Sequence, residues 1–320
     1  MNWQPAAPLP MLRTRAAMLA SARAFFAERG VLEVDTPILS AAAPSDPQIE
    51  PLSAGVSGFA RRFYLCTSPE YAMKRLLAFG SGDIYQIGKV FRDEEHGRWH
   101  NPEFTMIEWY RLGLNDHGLM LETEALLARL LAPSRRLGAA VRLTYAEALG
   151  RHAGVDAHTA SEAQLAHAAA RLGIDCDGAL DRDARLDLLM ALVVGPKLGR
   201  SDTPTFICDY PASQASLARI KPGTPPVAAR FELYLDGVEL ANGFHELCDA
   251  GEQRARFDQD LAIRRGRGQP VLPLDTRLLG ALEHGLPDCA GAALGFDRVV
   301  ALAAGADSLG AAMAFPIGIA

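Results

Sequence analysis

Residues 92–111, RDEEHGRWHNPEFTMIEWYR, combine acidic and basic side chains with two histidines and four aromatic rings. The flanking runs DIYQIGKVFR and EFTMIEWYR are rich in the β-branched and aromatic residues that are typical of strands. EEHGRWHNP, between them, contains Gly97 and Pro102, which favour a turn. The stretch therefore predicts a β-hairpin with a charged loop. Taken alone, such a hairpin could simply be an exposed, polar edge of a sheet without a function.

The composition of the whole chain is that of an ordinary soluble protein. Of the 320 residues, 49% are hydrophobic and 22% are charged, which is close to the average for globular domains. The longest apolar runs, LLMALVVG and CAGAALGF, are too short to span a bilayer. We therefore expect a cytoplasmic protein.

Cysteine spacing and charge disfavour two further classes of site. The five cysteines are scattered and form no C-x-x-C pair, so we expect reduced thiols and not a disulfide framework or a zinc knuckle. The net charge of −6 disfavours broad binding to nucleic acid. The densest basic cluster, RRGRGQP at residues 264–270, contains two glycines, and we interpret it as a mobile, solvated loop after a helix.

Strand and helix patterns along the chain predict an α+β fold with an antiparallel sheet flanked by helices. Ser68-Pro69-Glu70 is a strong helix start, and Asp236-Gly237 is a good two-residue turn between the strands RFELYL and VELANGF. A last helix begins near Gly295. Other helices are predicted at residues 13–29, 116–131, 161–172 and 184–194. We interpret residues 1–320 as one domain with a helical insertion around residues 143–200.

Common nucleotide-binding loops are missing from the sequence. No G-x-x-x-x-G-K-[ST] segment occurs, and no G-x-G-x-x-G segment occurs either. If the protein uses a nucleotide, it must bind it through another arrangement.

Three segments resemble, in order, the three signature motifs of class II aminoacyl-tRNA synthetases. FFAERGVLEVDTPIL is similar to motif 1, FRDEEHGRWHNPEFTMIEWYR to motif 2 with its F-R-x-E start, and GAALGFDRVVAL to motif 3 with its G-x-D-R core. The resemblance extends from about Arg13 to Phe315. It implies a class II catalytic domain that uses ATP and Mg²⁺ to activate a carboxylate.

The resemblance also implies roles for individual residues at the ATP site. Arg92 would contact the α-phosphate and stabilise the charge that develops there, and Arg298 would hold the γ-phosphate, so both would be catalytic. Glu239 and Glu246 would serve as magnesium ligands. The remaining ATP-contacting residues would be Asp93, Glu94, His100, Asn101, Phe104, Leu240 and Gly295, with Phe104 stacking on the base.

Within class II, the segments TSPEYAMKRLL, NPEFTMIEWYR and ELANGFHEL are most similar to the lysine branch. In that branch, acids and a tyrosine hydroxyl bind the amino groups of the substrate. His245 receives no role, because the attacking carboxylate is already ionised and needs no general base. The resemblance therefore implies an amino-acid site formed by Ser68, Pro69, Glu70, Tyr110, Glu246 and Ala293.

Two departures from lysyl-tRNA synthetases point to a sub-family. The motif 1 helix begins almost at the first residue, so we expect no N-terminal anticodon-binding domain. Ala293 stands where lysyl-tRNA synthetases usually have glycine, and one methyl group can change discrimination by roughly 1–3 kcal/mol. Both features resemble a family of truncated lysyl-tRNA synthetase paralogues that ligate (R)-β-lysine to a lysine of elongation factor P. That resemblance implies a homodimer built on motif 1 and no stable binding of tRNA.

Three alternatives share parts of this pattern. A tRNA ligase without an anticodon-binding domain would contain every motif. An inactive regulatory paralogue should have lost a motif arginine or acid, yet Arg92, Glu94, Glu239, Glu246 and Arg298 are all present. An amide ligase similar to asparagine synthetase would need a different amino-acid pocket.

Overall fold

A computed structural model describes residues 3–174 and 180–320 of the chain. Cys176 lies outside the described residues. The strands are β1 (Leu32–Glu33), β2 (Leu39–Ser40), β3 (Ser53–Gly55), β4 (Arg62–Leu65), β5 (Ile84–Phe91), β6 (Glu103–Leu112), β7 (Val141–Thr144), β8 (Thr205–Pro211), β9 (Ile220–Lys221), β10 (Val227–Leu235), β11 (Val238–His245) and β12 (Cys289–Gly295).

Helices precede, follow and interrupt these strands. They are α1 (Leu9–Ala27), α2 (Glu70–Phe79), α3 (Asp116–Leu131), α4 (Tyr145–Ala153), α5 (Glu162–Arg171), α6 (Arg182–Leu189), α7 (Ala250–Gly266), α8 (Thr276–Gly285), α9 (Phe296–Ala303) and α10 (Leu309–Ala312). A π-helical turn, Met190–Val194, continues α6, and short 3₁₀ turns cover Gly195–Lys197 and Ala212–Gln214. None of the helices in the described ranges is long and apolar enough to cross a membrane.

Most strands of the described chain form one large sheet with the order β1-β5-β6-β12-β11-β10-β8-β7, and β9 pairs with β10. The pairs β1/β5 and β7/β8 are parallel, and the other pairs are antiparallel. A smaller sheet has the order β2-β4-β3. The predicted α+β class with an antiparallel sheet is therefore confirmed.

The hairpin predicted from residues 92–111 is present and forms the second and third strands of the large sheet. β5 pairs with β6 from Ile84 opposite Tyr110 to Phe91 opposite Glu103. The second predicted hairpin is also present, because β10 and β11 are joined by Asp236 and Gly237, both with positive φ. Positive φ at both central residues is the geometry that a tight two-residue hairpin turn requires.

Helices cover both faces of the large sheet. On one face, α1, α3 and α9 bury a continuous apolar cluster, in which the rings of Phe26 and Tyr85 stack 4.3 Å apart. On the other face, α2, α7 and α8 pack together near Cys289, the first residue of β12. Helices α4, α5 and α6, between β7 and β8, form a third apolar cluster against β8 and β10. The central strands therefore keep part of one face open for a cavity.

Some elements differ from the sequence-based expectations. The run VLEVDTPIL forms only the short strands β1 and β2, because Pro37 cannot donate to a ladder and interrupts it. Strand β12 was not expected ahead of the last helix. Its small residues, CAGAALG, have low strand propensity, but a central position in the sheet outweighs that preference.

The expectation of a mobile basic loop at residues 264–270 was wrong at its first residues. Arg264 lies in α7 and is fully buried. Its guanidinium donates to Glu50 at 2.6 Å and to the backbone oxygens of Asp46, Ile49 and Pro270. A buried charge is tolerated when it is paired and hydrogen-bonded in this way.

Candidate active site

A cavity of about 940 Å³ lies over the central strands β6, β12 and β11. Side chains alternate between the two faces of a strand, and Phe104, Met106, Glu108 and Tyr110 of β6 all line this cavity. One end of the cavity, which we call the acid end, contains Glu70, Glu108 and Glu246. The other end, which we call the basic end, contains Arg92 and Arg298. The two ends therefore offer opposite charges along a single groove.

Glu108 is the central carboxylate of the acid end. It is buried, and it accepts hydrogen bonds from Ser68 at 2.8 Å and from the hydroxyl of Tyr110 at 2.7 Å. Burial and the nearby charge of Glu70 raise the pKa of Glu108 to about 7. A cationic ligand at this position would favour the ionised form.

Lys74 joins the other two carboxylates of the acid end. Its side chain is 1% exposed, and its Nζ lies 2.7 Å from Glu70 and 2.6 Å from Glu246. Burial raises the pKa of Glu246 to about 8, against the opposing effect of the Lys74 ammonium. Glu70 lies at the start of α2, where a negative charge is favoured by the helix dipole.

Small residues on β12 shape the floor of the acid end. A Cβ atom at Gly291 would lie 2.3 Å from the ring of Tyr110 and 2.7 Å from Oε1 of Glu246, so no larger residue fits without displacing them. Ala293 is half-buried, lines the cavity and lies opposite Glu108 on β6 and Asn242 on β11. Its methyl group therefore adjoins the acids of this end.

The basic end is built from two arginines that the backbone holds in place. Nε of Arg92 donates to the carbonyl of Thr67 at 3.4 Å, and its guanidinium carbon lies 5.3 Å from the centroid of Phe104. Nε of Arg298 donates to the carbonyl of Trp99 at 3.1 Å, and its Nη1 donates to the carbonyl of Glu239 at 2.9 Å. Both guanidinium groups thus face a region that suits phosphates.

Glu239 is a suitable ligand for a hard cation at the basic end. Burial, with the charge of Glu232, raises its pKa to about 7 although arginines lie nearby. Magnesium is commonly held by one or two carboxylates together with phosphates, so Glu239 fits this requirement. Glu246 lies seven residues further along extended backbone, roughly 20 Å away at ~3.3 Å per residue. Glu246 is paired with the ammonium group of Lys74, and its role as a magnesium ligand stays a prediction.

The loop between β5 and β6 is held by hydrogen bonds within the loop and to the C-terminal segment. The amide of Asn101 donates to the carbonyl of Glu103 at 2.7 Å, and its oxygen accepts from the backbone N–H of Ile317 at 3.0 Å. His100 lies 3.3 Å from Glu95, and burial lowers the pKa of His100. Asn101 thus anchors the loop against the C-terminal segment as well as lining the cavity.

The structure brings most of the predicted site residues to this cavity. Asp93 and Glu94 are exceptions, because both are exposed and neither lines it. Glu94 has a φ of 62°, and the carboxylate that faces the cavity is that of Glu95. Contact of Asp93 and Glu94 with ATP stays a prediction. The predicted residues that line the cavity are Ser68, Pro69, Glu70, Arg92, His100, Asn101, Phe104, Tyr110, Glu239, Leu240, Glu246, Ala293, Gly295 and Arg298.

Sequence reasoning missed several residues of the site. Glu108 could have been found, because it lies two positions before Tyr110 in a strand and must share its face. Lys74 could have been found too, because it lies one turn after Glu70 in a predicted helix. Glu95 gave no such signal, since it belongs to a loop.

Comparisons with known proteins show which family the chain is similar to. A model of the family "tRNA synthetases class II (D, K and N)" matches residues 7–318. A protein of Yersinia enterocolitica named "Elongation factor P--(R)-beta-lysine ligase" is 50% identical over 323 residues, which are 99% of this chain and 98% of that protein. Proteins with the same name are 50% identical in Klebsiella pneumoniae, over 99% of this chain and 98% of the relative, and in Vibrio parahaemolyticus, over 100% and 99%.

The match to the family model covers nearly the whole chain and includes the segments similar to motifs 1, 2 and 3. The resemblance inferred from those segments is therefore confirmed. This chain belongs to the class II (D, K and N) family of tRNA synthetases.

Proposed function

We propose that this protein is an ATP-dependent ligase that adenylates (R)-β-lysine and transfers it to the ε-amine of a lysine on elongation factor P. Relatives that carry this activity in their name are identical to the chain at half of the aligned positions over almost their whole length. The feature of the structure that carries the proposal is the charge of the acid end.

The acid end suits a substrate with two ammonium groups. Three carboxylates, Glu70, Glu108 and Glu246, stand against the single ammonium of Lys74, which leaves two negative charges when all are ionised. A diamino acid such as β-lysine brings two positive charges. Buried charges are stable only when they are paired, so a dication neutralises this end.

In the first proposed step, the substrate carboxylate attacks the α-phosphorus of ATP. A phosphorus–oxygen bond to the acyl oxygen forms, the bond to the bridging oxygen of the β-phosphate breaks, and pyrophosphate leaves. Arg92 would stabilise the charge on the α-phosphate, and Arg298 would hold the γ-phosphate. Phe104, packed against Arg92, would offer a flat surface for adenine.

Magnesium would be held by Glu239, and when bound it would neutralise phosphate charge during this step. Leu240 and Gly295 would line the nucleotide side of the same groove. At Gly295, the nearest atom that a Cβ would meet is Cδ of Arg298 at 3.6 Å, so this position keeps the backbone accessible beside that arginine.

In the second proposed step, the ε-amine of the acceptor lysine attacks the acyl carbon of the mixed anhydride. The carbon–oxygen bond to AMP breaks, AMP leaves, and the new amide loses a proton. Splitting the reaction in two allows ATP cleavage to provide the activation that amide formation needs.

Lysyl transfer to tRNA is the second candidate, because the matching family model is one of tRNA synthetases. It would use the same cavity and the same first step. The two functions differ in the acceptor, and we propose that tRNA is not stably bound.

We also propose a homodimer. Apolar side chains of the motif 1 segment are exposed on the single chain, among them Leu32 at 55%, Ile38 at 43% and Leu39 at 43%. Adjacent exposed apolar residues are typical of association surfaces. Light scattering should therefore give twice the mass of the chain, and a monomer at micromolar concentration would contradict this.

The test of the proposed function uses two acceptors side by side. The protein is incubated with ATP, Mg²⁺ and either (R)-β-lysine or α-lysine, in the presence of elongation factor P or of tRNA. Intact-mass spectrometry should show one added lysyl group on elongation factor P, most with the β-isomer. Charged tRNA on an acid gel, with unmodified elongation factor P, would favour the second candidate instead. No product on either acceptor would overturn both.

A further inference from the structure

Lys74 is a charged residue of the acid end to which none of the steps above gives a role. It lies on α2, one turn after Glu70, so both side chains share a face of the helix. Its side chain is 1% exposed, although lysine is almost never fully buried unless it is paired.

The ammonium group of Lys74 forms an ion pair with one oxygen of each of two carboxylates. Nζ lies 2.7 Å from Oε1 of Glu70 and 2.6 Å from Oε2 of Glu246. The other oxygen of Glu246, Oε1, lies beside Gly291, where a Cβ would come within 2.7 Å of it. Because Gly291 lines the cavity, that second oxygen is turned toward the substrate space.

The third carboxylate is held without a cation. Ser68 donates to one oxygen of Glu108, and Tyr110 donates to the other. Every acid of this end is thus oriented by a protein donor, but only Glu70 and Glu246 are oriented by charge.

We propose that Lys74 is a positioning residue that determines specificity for a dicationic amino acid. Its ammonium holds Glu70 and Glu246 in place and reduces the charge of the acid end to that which two substrate ammonium groups neutralise. This inference rests on the proposed function. Lys74 acts through the two carboxylates and does not touch the reacting atoms.

Several titratable groups lie near Lys74 or its carboxylate partners. They are Glu70 on α2, Glu108 and Tyr110 on β6, Glu246 after β11 and Cys289 on β12. Lys74 opposes the rise that burial causes in the pKa of Glu108 and of Glu246. Without that ammonium group, a larger fraction of both carboxyls would carry a proton at a given pH. A neutral carboxyl attracts an ammonium group far less than a carboxylate does.

The experiment compares Lys74→Met and Lys74→Arg with the wild-type protein in ATP–pyrophosphate exchange that depends on (R)-β-lysine. Lys89→Met is the matched control, because Lys89 is 40% exposed on β5 and lies outside the cavity. In Lys74→Met, KM for β-lysine should rise about tenfold or more, and KM for ATP should change less than about twofold. The acid limb of kcat/KM for β-lysine should move up by about one pH unit.

Lys74→Arg keeps the charge but cannot occupy the same position between two carboxylates. We expect KM for β-lysine to rise a few-fold and the acid limb of kcat/KM to stay at the same pH as in the wild-type protein. If Lys74→Met does not fold, Lys74→Arg still tests the inference. An unchanged KM for β-lysine in Lys74→Arg would overturn it.

The outcomes separate this inference from the proposed function. Wild-type exchange together with an unchanged KM and acid limb in Lys74→Met overturns the role of Lys74 alone. If KM rose equally for ATP and for β-lysine and the acid limb of kcat/KM did not move, Lys74 would have a merely structural role. That result would also overturn the inference. Absence of β-lysine-dependent exchange in the wild-type protein overturns the proposed function, and this inference falls with it.

Discussion

At the scale of single residues, the floor of the amino-acid pocket depends on two positions of β12. Gly291 has no space for a Cβ, whereas Ala293 carries the methyl group that lysyl-tRNA synthetases would usually lack. The sequence alone indicated the importance of Ala293 by resemblance. The requirement for glycine at position 291 follows only from the structure, in which Tyr110 and Glu246 pack around it.

Ala293→Gly should raise activity with α-lysine relative to β-lysine. Removing a methyl group beside Glu108 would give an α-ammonium more space, and one methyl typically changes discrimination by ~10-fold or more. The ratio of kcat/KM values in pyrophosphate exchange measures this. Ala290→Gly is the matched control, because Ala290 is buried on the same strand but does not line the cavity. An unchanged ratio of kcat/KM values would show that the methyl group of Ala293 does not discriminate against α-lysine.

Arg298→Ala should abolish pyrophosphate exchange with any amino acid. The variant removes the guanidinium that lies beside Glu239 at the basic end, and loss of one such transition-state contact typically costs ~100-fold or more in rate. Arg254→Ala serves as the control, since Arg254 is exposed and lies outside the cavity. Unchanged exchange in Arg298→Ala would contradict the adenylation step.

At the scale of elements, strand alternation explains why β6 supplies so much of the site. Phe104, Met106, Glu108 and Tyr110 share one face, and β6 lies in the interior of the sheet because it pairs with β5 on one side and with β12 on the other. The strand and its period could be predicted from the sequence. Its neighbour β12 could not be predicted, because its pairing with β6 joins residues that are 177 to 189 positions apart.

Helix α7 is fixed by a contact of the same long-range kind. Arg264→Met should destabilise the protein by about 3 kcal/mol, because it leaves Glu50 and three backbone carbonyls without their donor. Urea unfolding monitored by circular dichroism measures the change. Arg265→Met, one residue later and exposed, should be nearly neutral. Equal stabilities of the two variants would show that the buried guanidinium contributes nothing.

At the scale of the whole molecule, the sheet concentrates buried acids at one end of the cavity, and this makes stability depend on pH. The folded-state pKa of Glu246 is raised from 4.5 to about 8, and that of Glu108 from 4.5 to about 7. Because the folded protein then binds more protons than the unfolded chain, these groups lower the free energy of unfolding as pH rises from about 4.5 to about 8.

Binding of (R)-β-lysine should reverse this loss. Its ammonium groups favour the ionised carboxylates, so the increase in Tm that it causes should be larger at pH 8.5 than at pH 6.5. Thermal unfolding at both pH values, with and without the amino acid, measures the effect. Norleucine at the same concentration is the control, since it lacks the second ammonium group. An equal increase at both pH values would contradict ionisation of these acids on binding.

The amino-acid sequence was enough to predict the class of fold, the β5/β6 hairpin, the start of α2 and, through three ordered motifs, the family. Of the predicted site residues, all but Asp93 and Glu94 line the cavity. The hairpin and the helix start follow from hydrophobic period and turn chemistry, which act over a few residues, and each motif can likewise be identified from its own short segment. Three features became evident only from the fold: Lys74 joins Glu70 to Glu246, Gly291 cannot carry a side chain, and Arg264 is buried. Each of these depends on atoms brought together from distant parts of the chain, and no local pattern records which distant partner a side chain will meet.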